Sequence, residues 1–422
     1  MAARQGSVPE PLASVRARIL LAGLVALGSC CTALADGTSD PFAPQADPLI
    51  AGQLGAQQSM TLGFAAAQIG NVSNHLQRLH QGFDPCAGLD KLGVVHNDAA
   101  LPRDGLASSN APVASATVVN PAAAAGSAAN RVAPKQCLNE RLFNSRDSAL
   151  WYSGHLDYGS NTASAPQGNY FSSPGLTVGL DHRLADRVIV GAALGQGWNG
   201  TVLDSTGSRT RVDSTHGSLY ANYRPMGPMT LDALFGYGDA SMDNRRWIDT
   251  DSAWVRGTRH GSSWYGSLAL TAPIQSSALR LEPYLRSDFV QSTLQPYSES
   301  GSTPLAMSYS STYGSNSTVS AGAVGLRDFP LAGHVLTPLI GLKYQRLLND
   351  ASLANVYYAD SGSAIPYSLS LGNTTSQVVT TRQLGLRYRD SLGLQGEIGA
   401  NYPVGNAPNQ TPVYTASLHA AF

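Results

Sequence analysis

Four histidines, His182, His216, His260 and His419, lie in the later part of the chain. Each could act as a general base if the fold set it beside a serine or an aspartate. The string Gly238-Asp239-Ala240-Ser241 offers a serine, but it sits inside a segment that alternates like a strand. The chain has no GxSxG, no HExxH and no glycine-rich phosphate loop between a strand and a helix. No catalytic, cofactor-binding or metal-ligating residue is therefore assigned, and the expectation is a protein that is not an enzyme. The remaining candidates are charged. Arg280, Glu282, Arg286 and Asp288 alternate with Leu281, Pro283, Leu285 and Phe289, and Arg387, Arg389 and Glu397 sit in similar patterns. Charge on every second residue puts it on one face of a strand, where Arg and carboxylate can form ion networks. Such networks hold a structure together or tune a pore, and both readings stand.

The elements that must position these residues follow from composition and period. About 43% of the 422 residues are hydrophobic, yet only 13% are charged, roughly half the usual share. The net charge of −1 offers nucleic acid no basic footprint. Arg16 and Arg18, the apolar Ile19–Leu27 and the small Ala33 and Ala35 make a secretory signal over residues 1–35. "LGSC", ending at Cys30, is similar to a bacterial lipobox and supplies the rival reading, a lipidated Cys30. Both readings export the protein. Cys86 and Cys137 would then meet an oxidising compartment, where a pair is read as a disulfide, with free thiols as the alternative.

Residues 36–50 read as a short linker. Over 51–83, Leu62, Ala65, Ile69, Val72, Leu76 and Leu79 recur at spacings of three and four, one stripe of an amphipathic helix. Its other face carries amides, among them Gln68, Asn71, Asn74 and Gln77. Residues 84–146, which contain both cysteines, are an Ala-, Pro- and Ser-rich linker or loop.

From 147 to 422 the period is two. Segments of ten to fifteen residues alternate apolar with polar and are joined by links of alternating length. A soluble sandwich also alternates, but its strands are usually shorter. Short turns at one end and long loops at the other describe an outer-membrane barrel. Strands are expected to start near residues 149, 172, 187, 209, 228, 254, 279, 307, 335, 375, 391 and 411. The fold class is therefore all-β, an antiparallel transmembrane barrel of about twelve strands preceded by an amphipathic helix. Trp151, Tyr152, Tyr223, Tyr284, Tyr344, Tyr388 and Tyr402 would form aromatic girdles or belong to a core. The last strand carries Tyr414, Leu418 and Phe422 on one face, which would look at lipid while its edge pairs with the first strand near Trp151.

Taken with "AAAQIGNVSNHLQRLHQG", "LWYSGHLDYGS", "GLTVGLDHRLADRVIVGAALG" and "LRLEPYLRSDFV", this order of elements resembles the autotransporter β-domain of Gram-negative outer membranes. The resemblance implies a translocator whose helix threads the lumen while an N-terminal passenger reaches the cell surface. It also implies a monomeric barrel whose partners are outer-membrane lipid, the assembly machinery and periplasmic chaperones. Tyr414, Leu418 and Phe422 would form the terminal assembly signal, and no cofactor is implied. Three features depart from the pattern: little passenger precedes the helix, a long insert follows it, and Ser417 stands where the terminal signal often has glycine. The self-cleaving Asn-Asn pair of some family members is not carried over, because Asn71 and Asn74 are separated. The alternative is a stand-alone porin-like or structural barrel.

Overall fold

The computed structural model describes residues 47–80, 147–160, 169–276, 279–331, 334–349, 352–360, 366–371, 376–390, 394–404 and 413–421. The signal segment, Cys30, Cys86, Cys137, the 84–146 linker and Phe422 lie outside the described residues.

Twelve long strands form one ring: β1 (Ser148–Ser160), β2 (Asn169–Ala185), β3 (Val188–Val202), β4 (Arg209–Tyr223), β5 (Thr230–Ile248), β6 (Ala253–Thr271), β7 (Arg280–Leu294), β8 (Thr312–Leu326), β9 (His334–Asn349), β10 (Ser376–Arg389), β11 (Gln395–Val404) and β12 (Val413–Ala421). Each pairs antiparallel with its sequence neighbours, and β12 closes on β1 from Trp151 opposite Ala421 to Tyr158 opposite Tyr414. Closure satisfies every strand edge, the condition for crossing lipid without backbone groups left unpaired. Leu194, Leu219, Phe235, Leu285, Ile340, Ile398 and Leu418 are exposed on the outer wall. Leu384, opposite Ile340, and Leu386, opposite Ile398, continue this apolar belt around the ring, and Leu342 is exposed beside them.

Among the described residues one helix, α1 (Pro48–Leu79), runs inside the ring. Asp47 caps it by accepting from the Leu49 amide at 2.8 Å, and Pro48 opens its first turn. At about 1.5 Å per residue its 32 residues extend nearly 50 Å, enough to pass through the whole barrel. The stripe of Ala65, Ile69, Val72, Leu76 and Leu79 packs on Trp151, Ile189, Ala193, Tyr220, Leu234, Tyr265 and Val290 of the inner wall. Small residues let the helix come close. A Cβ on Gly197 would lie 2.4 Å from the Phe64 ring, and one on Gly195 2.1 Å from the Gln68 amide oxygen.

Three expectations shift. The segment expected to start the eighth strand near 307 is not barrel wall. Met307–Tyr309 pairs with Tyr297–Ser298 and Ser352–Tyr358, which pairs with Tyr367–Leu371, in a separate four-stranded sheet. This cap packs on Ile50 and Leu54 at the long-loop end. Its apolar side chains follow the helix tip, so they pair there instead of extending the wall. Trp151 also leaves the girdle reading: it is fully buried in the lumen, donating to the Tyr220 hydroxyl at 2.6 Å. Tyr284 likewise faces inward, close to Gly322. Period two places these rings on the inner face, where the helix and small wall residues leave room.

Candidate functional site

The lumen is the candidate site, and the helix is gripped along its length. At the long-loop end, Arg246 of β5 reaches Glu299 at 2.6 Å and Asp47 at 3.3 Å. Gln53 donates to the Tyr297 hydroxyl at 2.6 Å, and Tyr309 donates to Glu299 at 3.1 Å. Burial pushes both phenols above their ordinary value and the neighbouring Glu299 carboxylate adds to it, so both stay neutral. One turn further in, Gln57 donates to Asn244 at 2.8 Å and accepts from Arg259 at 2.8 Å. Gln58 accepts from Ser352 of the cap at 2.8 Å.

Mid-lumen, Gln68 donates to Ser218 at 3.1 Å and accepts from Thr177 at 2.7 Å. Asn71 donates to the same Thr177 hydroxyl at 2.9 Å. Gln53, Gln57, Gln68 and Asn71 are thus as buried as the apolar stripe, because each amide nitrogen donates to a hydroxyl or amide of the wall or cap, while Asn74 is half-buried and Gln77 exposed.

At the tight-turn end the contacts become aromatic and acidic. His75 lies flat on Trp151, with ring centroids 4.1 Å apart. Its Nε2 is 2.8 Å from Asp181, and its Nδ1 shares a hydrogen bond of 3.1 Å with His419. Tyr220 donates to the other Asp181 oxygen at 2.6 Å. Just past the helix, His80 lies 2.8 Å from Asp232, and Arg224 donates to the Leu79 carbonyl.

The opposite wall, from the tight-turn half of β7 to β11, is built differently. Arg280 pairs with Glu282 at 2.9 Å, Arg286 with Asp288 at 2.7 Å, and Arg387 with Glu397 at 2.8 Å. All six side chains are partly open to solvent. Arg389 is exposed at the tight-turn end. Tyr414 and Leu418 point outward from β12.

The four candidate histidines do not converge. His182 is exposed, 3.1 Å from Ser148, and His260 is exposed on the outer wall. His216 is buried against Phe64 and Tyr265 without a hydrogen bond. Only His419 joins an acid–base cluster, and it does so through His75, a helix residue the sequence reading passed over. A helix histidine one turn from the end of an apolar stripe was the available signal. Ser241 stands opposite His260 in the β5–β6 register, with no hydrogen bond between them.

The model of the autotransporter β-domain family matches residues 150–404, more than half of the chain. The chain belongs to the autotransporter β-domain family.

Among solved structures, this autotransporter barrel is similar to the translocator domain of the autotransporter NalP from Neisseria meningitidis. That match has 17% identity and a TM-score of 0.49, and covers 65% of this chain and 88% of that one. The β-domain of the Bordetella autotransporter BrkA matches at 16% identity and a TM-score of 0.46, over 65% of this chain and 100% of that one. The transport unit of the autotransporter AIDA-I from Escherichia coli matches at 12% identity and a TM-score of 0.38, over 67% and 91%. No curated protein matches the sequence.

Proposed function

We propose that this autotransporter barrel sits in the outer membrane of a Gram-negative bacterium, reached after cleavage of the signal segment. There it carries the segment preceding α1 to the cell surface, and α1 remains as the plug of the spent pore. The observation that carries this reading is the direction of the helix. Asp47, its cap, lies at the long-loop end beside Arg246, while Leu79 and His80 lie among the tight turns. Long loops of such barrels face the exterior and short turns the periplasm. Tyr414 and Leu418, outward on the closing strand, fit the terminal assembly signal, with Phe422 as its last residue. Outer-membrane lipid, the assembly machinery and periplasmic chaperones are its proposed partners, and the barrel acts as a monomer.

Two measurements test the proposal. An epitope inserted before Asp47 should be reached by antibody on intact cells. Single-channel conductance in a planar bilayer should be low for the full chain and rise severalfold when residues 48–79 are deleted. Large, equal conductance in both proteins would favour the porin-like reading instead. An epitope found only after permeabilising the cells would sink the display reading.

A further inference from the structure

The outer wall of β3 to β6 carries a polar pattern that neither plugging nor translocation uses. Its strands outrun the membrane. β5 and β6 have 19 residues each, whereas about 9–11 suffice to span the hydrocarbon. The outward side chains can be read row by row from the registers. Leu194, Gly217, Tyr237 and Trp264 form one row, and below it lie Leu219 and Phe235. These rows border an apolar groove of about 550 Å³, walled by Leu180, Leu194, Phe235 and Trp264 and floored by the small Ala192 and Gly217.

Eight residues further up the same strands, Arg209, Arg245 and Arg256 stand directly opposite one another on three neighbouring strands. Strands lie about 4.8 Å apart, so three like charges share a span of roughly 10 Å. Such an arrangement is unfavourable unless something negative sits on it. Among the described residues none of the three arginines forms an ion pair: Asp243 accepts from Thr258, Asp251 from Thr303, Asp204 from its own loop, and Asp213 lies 3.8 Å from Arg211. The Arg245 guanidinium lies 3.5 Å above the Trp254 ring, and its buried Nε has no hydrogen-bond partner. An aromatic platform under a planar fork with a free donor is the equipment for holding a phosphate.

We propose that this wall binds a phosphorylated glycolipid of the outer leaflet, with an acyl chain in the groove and phosphates of its saccharide headgroup on the Arg209–Arg245–Arg256 ladder. The separation sets the class of headgroup. Eight residues at about 3.3 Å each make some 26 Å along the strand, or about 20 Å of height after tilt. A phosphate next to the acyl chains falls short of the ladder, whereas phosphates on an extended oligosaccharide reach it. The inference rests on the outer-membrane reading but not on translocation.

Native mass spectrometry of the refolded full chain in detergent tests it without cells, so its failure is separable from a failure of surface display. The probes are lipid A carrying a phosphorylated core oligosaccharide, the same glycolipid after phosphatase treatment, lipid A alone, and inorganic polyphosphate. The full phosphorylated glycolipid should form a one-to-one adduct. That adduct should weaken by roughly tenfold or more when Arg209→Gln, Arg245→Gln and Arg256→Gln are combined. Ala192→Leu, which fills the groove floor, should weaken the same adduct and leave polyphosphate binding unchanged. Heat-modifiable migration on gels shows that each variant is folded. Unchanged binding by the triple variant, or equal binding of the dephosphorylated glycolipid or of lipid A alone, would overturn the proposal. Polyphosphate binding as tightly, with no effect of Ala192→Leu, would make the ladder a soluble-polyanion site and overturn the glycolipid assignment.

Discussion

The two halves of the lumen wall solve the same problem in different ways. β1 to β6, against the helix, is dry: hydroxyls, amides, aromatic rings and glycines, with Asp181, Asp232, Arg246 and Arg259 buried and hydrogen-bonded. β7 to β11, across from it, presents Arg–carboxylate pairs that remain partly hydrated. The difference follows from desolvation. A surface that must be buried by a sliding or docking helix does so cheaply with neutral groups, because burying a charge costs far more than burying an amide that finds a partner. A surface facing water keeps its ion pairs at little cost and little gain. One wall is therefore a socket and the other a lining.

Variants should separate them, beginning with the core of the socket. Phe64 is almost fully buried among Met60, Val212, Ala240, Met242 and Leu294. Phe64→Ala should cost about 3–5 kcal/mol, read as a lower midpoint in denaturant unfolding followed by gel migration. An intermediate effect is expected at the tight-turn end. Asp181→Ala strands the hydrogen bonds of both His75 and Tyr220, and should cost about 2–3 kcal/mol. It should also raise the frequency of brief channel openings, because the lower end of the plug is freed. If unfolding is unchanged and the channel stays closed, the cluster is not a latch. The smallest effect is expected across the lumen. Arg387→Ala should shift stability by less than about 1 kcal/mol, since its partner Glu397 stays hydrated, while altering ion selectivity of the helix-deleted pore. A loss as large as that of Asp181→Ala would erase the distinction between socket and lining.

Much of this architecture was legible beforehand. Leu281, Leu285 and Phe289 against Arg280, Glu282 and Asp288 assign the faces of β7 from period alone, and the heptad-like run from Leu62 to Leu79 announces the helix. Met307–Tyr309 was misplaced because a short apolar run looks the same in a wall and in a cap. Trp151 stayed open between girdle and core for a related reason: a ring near a strand end suits a lipid interface or a helix equally well, and only its neighbours decide. The His75–Asp181–His419 cluster was invisible, since its members come from the helix, β2 and the last strand and meet only when the ring closes.

By itself, then, the order of residues determined the strands, their inner and outer faces, the helix and the closure of the ring. Those are properties of period and of backbone hydrogen bonding, local enough to be read along the chain. The tertiary structure alone decided which wall the helix leans on, which end it faces, what covers its tip, and which arginines stand side by side at the long-loop end. Each of those depends on register between strands distant in sequence, and a shift of one residue would turn every side chain to the opposite face.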